Sequence, residues 1–326
     1  MKAILLKEFG PPENMYLGDF PKPSPQPNEV LVKIRATALN RADTLQRMGK
    51  YPPPPGDSTV MGLEIAGDIV ELGNKVKDWT IGDRVCGLIG GGGYAEYAVL
   101  SKRMLLPIPT NLSYEEAAAI PEVFLTAFQA INWIANLKKG ESILIHAGAS
   151  GVGTAAIQIA KAIGATVYVT ASVSKHSACL ALGADKAIDY KKNDFEAVIL
   201  ETTNGKGVDV VIDFVAAPYL QKNINVLSLD GRMVLLALLG GIQTPSLNIM
   251  NLLVKRLQIT GSTLRSRHPS YKEQLTQALK EFAWHLFEDQ SFKPVIDSVY
   301  DWKEVVKAHT RMESNLNIGK LVLKVS

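Results

Sequence analysis

The stretch "LIHAGASGVGTAAIQIAKAIGATVYVTASVSK", residues 144 to 175, constrains the fold more than any other part of the chain. An apolar run ends in a glycine-rich turn, the turn opens into a helical pattern, and a second apolar run follows, all within about thirty residues. Strand, turn, helix and strand in that order form a βαβ unit that holds a dinucleotide. The turn lets backbone N–H groups approach a pyrophosphate, and the helix N-terminus adds about half a positive charge to hold it. The spacing departs from G-x-G-x-x-G: Ala147, Ser150 and Gly153 take the small-residue positions, with Gly148 and Gly151 between them. Gly153 is expected to let the helix pack closely on the strand, and Ser150 to place a hydroxyl beside the phosphates. His146 reads as a core or strand-end residue rather than a base.

The end of the second strand discriminates between cofactors. A site for NAD usually carries Asp or Glu there, accepting hydrogen bonds from the ribose 2′-OH. This chain has Thr170, Ala171 and Ser172, followed by Lys175. With no carboxylate to repel a 2′-phosphate, and a hydroxyl and a cation to receive one, the residues favour NADPH.

On either side of this unit the pattern changes. The first third is rich in short extended runs ("AILLKEF", "EVLVKIRATAL", "GLEIAGDIVELG", "DRVCGLI", "AEYAVL") separated by Gly and Pro, which predicts an all-β unit. The run "YPPPPGD", residues 51 to 57, reads as a stiff loop over one face. Ser113 with Glu116 three residues on predicts a capping box at a helix start. From about Pro121 to Leu264 strands alternate with helices, the rhythm of a doubly wound parallel sheet. The helices are predicted at 151–163, 174–182, 194–203, 218–228 and 247–255. The final sixty residues hold an amphipathic helix over about 269–287 and end in the strand-like "GKLVLKV". A lone helix and strand cannot make a domain, so they are expected to return to the N-terminal β unit.

A chain of 326 residues, 47% hydrophobic, has material for about two domains with buried cores. No apolar run reaches the ~18 to 20 residues that span a bilayer; the run Met233 to Ile242 reads as a buried strand and its turn. The N-terminus lacks a secretory apolar segment, and Cys86 and Cys179 are the only cysteines, so a cytoplasmic protein without disulfides is expected. Both thiols read as small packed side chains. Lys plus Arg exceed Asp plus Glu by 35 to 32 with no basic block, which gives little support for nucleic-acid binding.

Taken together, "HAGASGVGTAAIQ", "GLEIAGDIVELGNKVKDWTIGDRV" and "NIGKLVL" resemble the zinc-free quinone oxidoreductase branch of the medium-chain dehydrogenase/reductase superfamily over essentially the whole chain. "ALNRADTLQRMGKYPPPPG", "AAAIPEVFLTAFQ" and "STLRSR" are most similar to its tumour-suppressor-inducible quinone oxidoreductase group. The resemblance implies an α/β chain: a GroES-like β domain over 1–121 and 265–326, a Rossmann domain over 122–264, and an active site in the cleft between them. It implies that Ser150, Gly151, Val152 and Gly153 form the pyrophosphate loop with Ala147, that Gln158 completes that fingerprint, and that Ser172, Lys175 and the flanking Tyr190 form the 2′-phosphate pocket. Asn40, Tyr51 and Thr126 match positions lining the nicotinamide and substrate. Leu238, Leu264, Arg265 and Ser266 match segments passing the nicotinamide half, and Asn317 and Lys320 match a C-terminal contact to cofactor phosphates. For Arg265 and Arg267 two readings stand, phosphate contacts or a solvated hinge.

Zinc-dependent relatives in that superfamily hold a catalytic zinc with Cys and His. Here Asn40 stands where the first cysteine would fall and Leu63 where a histidine would precede Glu64, so no metal is expected. Without a metal, reducing an electron-poor quinone makes smaller demands than oxidising an alcohol, because positioning against the nicotinamide supplies most of the catalysis. NADPH-dependent reduction of a quinone is the expected activity, with Asn40 and Tyr51 orienting the oxygen and Thr126 placing the nicotinamide. One-electron delivery, reduction of an enone or 2-enal, and a nucleotide-binding protein with an RNA or protein partner remain alternatives. By analogy, a homodimer or homotetramer is expected, with "QITGS" as the exposed sheet edge.

Overall fold

The computed structural model describes residues 1–326, which form two compact units: Met1–Leu125 with Arg265–Ser326, and Thr126–Leu264. The first unit begins with strands β1 (Lys2–Leu6) and β2 (Met15–Asp19), a two-stranded antiparallel pair, and continues with β3 (Glu29–Ala38), helix α1 (Arg41–Arg47), β4 (Glu64–Leu72), β5 (Arg84–Leu88), β6 (Tyr97–Ser101) and β7 (Leu105–Pro107). Strand β3 shows why this region folds as sheet: Val30, Val32 and Ile34 point to one face and are buried, as period-two alternation requires. The short α2 (Tyr114–Ala118) starts at the expected capping box, with Ser113 Oγ accepting from Glu116 N at 3.2 Å and Glu116 Oε2 accepting from Ser113 N at 2.9 Å. Helix α3 (Pro121–Phe128) then leads into the second unit.

The second unit is a six-stranded, all-parallel sheet. It contains β8 (Ser142–Ile145), α4 (Gly151–Ile163), β9 (Thr166–Ala171), α5 (His176–Ala181), β10 (Lys186–Asp189), α6 (Phe195–Thr202), β11 (Val208–Asp213), α7 (Leu220–Val226), β12 (Leu227–Leu235), α8 (Met250–Val254) and β13 (Gln258–Gly261). The strand order is β10-β9-β8-β11-β12-β13, so the direction of winding reverses between β8 and β11. In such sheets ligands bind at the carboxyl ends of the strands beside that reversal. Helix α4 spans the expected residues and stops at Gly164, whose φ of +90° suits a residue without a Cβ.

The chain then returns to the first unit through α9 (Pro269–Glu288), β14 (Ile296–Asp301), α10 (Val305–Glu313) and β15 (Lys320–Lys324). Helix α9 buries Leu275, Leu279, Ala283 and Phe287 at helical spacing. Strand β15 pairs antiparallel with β3, Val322 opposite Ala38, and completes the seven-stranded sheet. The core there gathers Val30, Ile65, Val85, Trp302, Leu321 and Leu323.

Several expectations need correction. The first third is not all β: α1 follows Asn40, and Asp43 Oδ2 accepts from Asn40 N at 2.7 Å to close its first turn. Strands β2, β7 and β14 and helix α10 lie in stretches with no predicted element, and α7 and α8 are shorter than their apolar patterns suggest. The run Met233 to Ile242 divides in two. Met233 and Val234 are buried in β12, whereas Leu238, Leu239 and Ile242 are exposed in the connection that follows.

Candidate functional site

In the second unit, β8 ends at Ile145 and the chain turns through Ala147, whose φ of +50° lies in the left-handed region. For a residue with a Cβ that conformation costs about 1 kcal/mol or more, strain of the kind found at ligand-binding turns. Ser150 caps α4, its Oγ accepting from Gly153 N at 3.0 Å. The two close approaches in the turn divide differently from expectation. A Cβ on Gly148 would lie 2.6 Å from Val169 Cβ of the neighbouring strand, so Gly148 is the residue that packs on β9. Gly153 instead clears the turn itself, since its Cβ would lie 2.4 Å from Ala147 O. Both contacts keep the backbone bare at the helix head, where Gly151 and Val152 are half-buried. Gln158 lies within the helix, donating to Thr154 O at 3.1 Å.

After β9, Ser172 begins a tight turn in which Lys175 N donates to Ser172 O at 2.9 Å, bringing the hydroxyl and ammonium side chains to one turn of backbone. Ser172 makes no capping bond with its side chain. The nearest following carboxylate, Asp185, accepts from Val167 N at 2.7 Å at the opposite end of the strand. Tyr190 follows β10 and is exposed, as is Leu238 after β12.

Beneath the loop lies a buried polar chain. Asn223 Nδ2 donates to Asp213 Oδ2 at 3.0 Å, which turns its Oδ1 toward His146 Nε2 at 2.7 Å. His146 Nε2 therefore carries the proton, and Nδ1 accepts from Thr170 Oγ1 at 3.0 Å. Burial pushes the imidazole down to about 4, and Phe195 and Tyr219 pack on it with ring centroids 4.8 and 4.7 Å away. A neutral, enclosed imidazole is the core residue expected from sequence. Both thiols are likewise buried and raised by desolvation, Cys179 to about 11.

In the first unit two of the expected site residues, Asn40 and Lys320, fall into a second buried group. Lys320 is 3% exposed, and its Nζ donates to Glu64 Oε1 at 2.7 Å, Asn40 Oδ1 at 2.7 Å and Leu39 O at 2.6 Å. An ammonium has three N–H donors and all three are used, so the expected contact from Lys320 to a cofactor phosphate is not made by this residue. Asn40 is also enclosed. Its Nδ2 donates to Glu64 Oε1 at 2.8 Å and to Ala38 O at 3.3 Å, so both amide hydrogens are taken and none is offered to a substrate oxygen. Glu64 completes the group by accepting from Glu122 N at 2.8 Å at the head of α3, the helix that carries Thr126. Arg265 is buried and engaged within its own unit, which removes both readings considered for it, the phosphate contact and the solvated hinge. Ser266 beside it is exposed and Leu264 is buried. Asn317 is half-buried, its amide donating to Gly319 O at 2.8 Å. Tyr51 is half-buried, and its backbone carbonyl lies 3.4 Å from Arg265 Nη1.

Sequence reasoning missed Asp43, Tyr94 and His309, which extend this group. Arg47 Nη1 lies 3.4 Å from His309 Nδ1, and His309 Nε2 lies 3.2 Å from the Tyr94 hydroxyl, which bonds to Asp43. Arg47 also pairs with Glu313. The one local signal was Asp43 three residues after Asn40, the spacing of a capping box. No group of three His, Cys, Asp or Glu side chains is disposed to hold a metal ion.

A parallel sheet with a bare-backbone turn at the head of α4, joined in one chain to a mixed-sheet unit, defines the class of dinucleotide-binding oxidoreductases built from two units. Residues 26–110 match the alcohol dehydrogenase GroES-like domain and residues 151–284 the zinc-binding dehydrogenase domain. The chain is 33% identical to a quinone oxidoreductase of Lama guanicoe over 330 residues, covering 99% of this chain and 97% of that protein. Among solved structures it is similar to an NAD-dependent alcohol dehydrogenase (32% identity, TM-score 0.89, 100% of both chains) and to the CurK enoyl reductase (29%, TM-score 0.89, 100% and 99%). A mycobacterial protein complexed with NADPH is 27% identical with TM-score 0.87 over 100% of both chains. The chain belongs to the medium-chain dehydrogenase/reductase superfamily, in its quinone oxidoreductase branch.

Proposed function

We propose that this protein is an NADPH-dependent reductase of quinones that works without a metal. The observation that carries the cofactor choice is the end of β9. It has no carboxylate to repel a 2′-phosphate, and Ser172 and Lys175 share one turn of backbone there. The pyrophosphate would lie against the α4 head, where Gly148 and Gly153 leave the backbone clear. Tyr190, Leu238, Leu264, Ser266 and Asn317 are proposed to flank the cofactor.

Zinc does not fit the residues. A catalytic site needs about three thiolate, imidazole or carboxylate ligands. Leu63 and Asn40 supply none, and both Glu64 oxygens are already held by Lys320, Asn40 and Glu122 N.

When bound, NADPH supplies the hydrogen and electron pair. The chain's own residues hold and orient the acceptor: Tyr51 presents a half-buried phenol to the substrate oxygen, and Thr126 on α3 places the nicotinamide ring. Asn40 contributes by holding Glu64 and Lys320 in place rather than by touching substrate. The quinone oxidoreductase relatives favour a quinone, and the enoyl reductase likeness supports an enone as the second reading.

The test is a steady-state assay of chelator-treated protein with NADPH and NADH against 1,2-naphthoquinone, 1,4-benzoquinone and a simple enone. Quinone turnover that prefers NADPH and survives chelation supports the proposal. Turnover of the enone alone would overturn the quinone assignment, and turnover lost on chelation would overturn the metal-free one.

A further inference from the structure

Three neighbouring strands of the parallel sheet end at one level. Ile145 of β8 stands opposite Val169 of β9 and Ile212 of β11, so the residues that follow, His146, Thr170 and Asp213, form a row across the sheet. In-register parallel neighbours point their side chains to the same face about 4.8 Å apart. All three are buried, and Asn223 of α7, also buried, bridges His146 and Asp213. The row crosses the reversal between β8 and β11, beside which such a sheet binds its ligand.

Each end of the row holds a strained turn. Asp213 Oδ1 accepts from Val215 N at 2.7 Å and from Ala216 N at 3.2 Å, and Ala216 has a φ of +72°. On the other side Thr170 O accepts from Gly148 N at 2.9 Å, closing the turn in which Ala147 has a φ of +50°. Alanine rarely adopts that conformation, and it persists where the surroundings over-determine it. The side chains of the row join the two turns, and each fixes the direction of the next. A carboxylate only accepts, so Asn223 gives its amide N–H to Asp213 and its Oδ1 to the ring. His146 then carries its proton on Nε2, and Nδ1 is left to accept from the Thr170 hydroxyl. No member can turn without orphaning a buried neighbour.

We propose that Asp213, Asn223, His146 and Thr170 act as one positioning unit for the dinucleotide, holding the turn after β8 and the turn after β11 at the separation the nucleotide requires. This rests on the reading of the second unit as a dinucleotide site. The four act through the backbone of the two turns rather than by touching the nucleotide, since they are closed off from water and bonded to one another. They set the crevice common to both nicotinamide cofactors. Their loss therefore weakens NADPH and NADH alike, unlike the loss of a residue that receives the 2′-phosphate.

The experiment compares wild type with Asn223→Leu, Thr170→Val, Thr170→Ser and the double variant Asn223→Leu with Thr170→Val. Dissociation constants for NADPH and NADH are read by nucleotide fluorescence, well below the Tm of each variant. Asn223→Leu and Thr170→Val are each expected to weaken both nucleotides about tenfold and by the same factor, and Thr170→Ser, which keeps the hydroxyl, to return most of the loss. Thr170 reaches Asn223 through His146, so the double variant is expected to bind no more weakly than Asn223→Leu alone. The second readout is 15N NMR of ring-labelled histidine, the His146 resonance being assigned by its loss in His146→Gln. It should show a single Nε2–H tautomer in wild type and a mixture in Asn223→Leu. Unchanged affinities, with or without a lowered Tm, would make the row core packing alone and overturn the proposal. Losses that multiply in the double variant, or a wild-type ring protonated on Nδ1, would overturn it too. If Asn223→Leu does not fold, Thr170→Val against Thr170→Ser and the wild-type tautomer decide the matter. If wild type binds neither nucleotide, the dinucleotide reading fails and the positioning role falls with it; if wild type binds and the variants bind equally well, only the positioning role falls.

Discussion

Lys320 Nζ lies 2.7 Å from Glu64 Oε1, and both side chains are closed off from water. Removing two charges from water is expensive, and what offsets it here is the full set of hydrogen bonds around them. Taking away one partner leaves the other buried and unpaired. Lys320→Met is expected to lower the unfolding free energy by about 3 to 5 kcal/mol, and Lys320→Met with Glu64→Leu to lower it by less than the sum of the single losses. Urea midpoints of the three variants check this, and strictly additive losses would show that the pair is not coupled.

Cofactor selectivity is expected to reside in Ser172 and Lys175. Lys175→Ala should weaken NADPH binding about tenfold or more, the scale of one charge-assisted hydrogen bond of roughly 1.5 to 3 kcal/mol, with little change for NADH. Ser172→Asp should narrow or reverse the preference by restoring the carboxylate that suits a free ribose. Fluorescence titration with both nucleotides gives the ratio, and equal weakening of both by Lys175→Ala would remove the residue from the 2′-phosphate pocket.

Gly148→Ala is expected to destabilise the second unit by about 1 to 3 kcal/mol, because its new Cβ would stand 2.6 Å from Val169 Cβ with no flexible side chain to yield. Thermal melting checks the loss. An unchanged Tm would mean that the turn can move away from β9 at no cost.

Stability should fall as pH drops below the ordinary range of histidine. His146 and His309 are held neutral by burial, at about 4 and about 3, so unfolding at lower pH takes up a proton on each. The unfolded chain then binds more protons, and stability rises with pH by about 1.4 kcal/mol per unit for each histidine between its folded value and about 6.5. Asp43 acts with the opposite sign. Burial raises it to about 6, so between its unfolded value near 3.8 and that point the folded chain holds the extra proton. Asp43 therefore offsets part of the histidine slope below pH 6. In His146→Gln the slope should shrink by about one proton relative to wild type, as urea midpoints at pH 5 and 7 would reveal.

Strand β13 is exposed over Gln258 to Gly261, and Leu253 and Val254 beside it are 78% and 61% exposed. An unpaired sheet edge next to apolar side chains invites a second copy of the same strand. We expect a homodimer paired through β13, with Ile259→Pro giving a monomer in sedimentation velocity. A wild-type monomer would overturn this assembly.

Much of the second unit was legible because its determinants are local. The order of strand, turn and helix, the extent of α4 and the missing acid after β9 each depend on residues within a few positions of one another, as does the capping box at Ser113 in the first unit. Spacing alone could place them. Helix α1 was hidden because its apolar residues are few and its start is closed by Asp43 rather than by a longer acid.

What only the tertiary structure decided is where the charged side chains go. A lysine or arginine near a C-terminal strand or a connection reads by default as solvated or as a phosphate contact, and for Lys320 and Arg265 that default fails. β15 pairs with β3 and carries Lys320 to Glu64 and Asn40, and the return of the chain at Arg265 carries a guanidinium to Gln46, Tyr51 and Gly90. The partners come from segments far apart in the chain. Burial and charge pairing are properties of the packed sheet rather than of any window of sequence, so residue identity could nominate these side chains but not assign their roles.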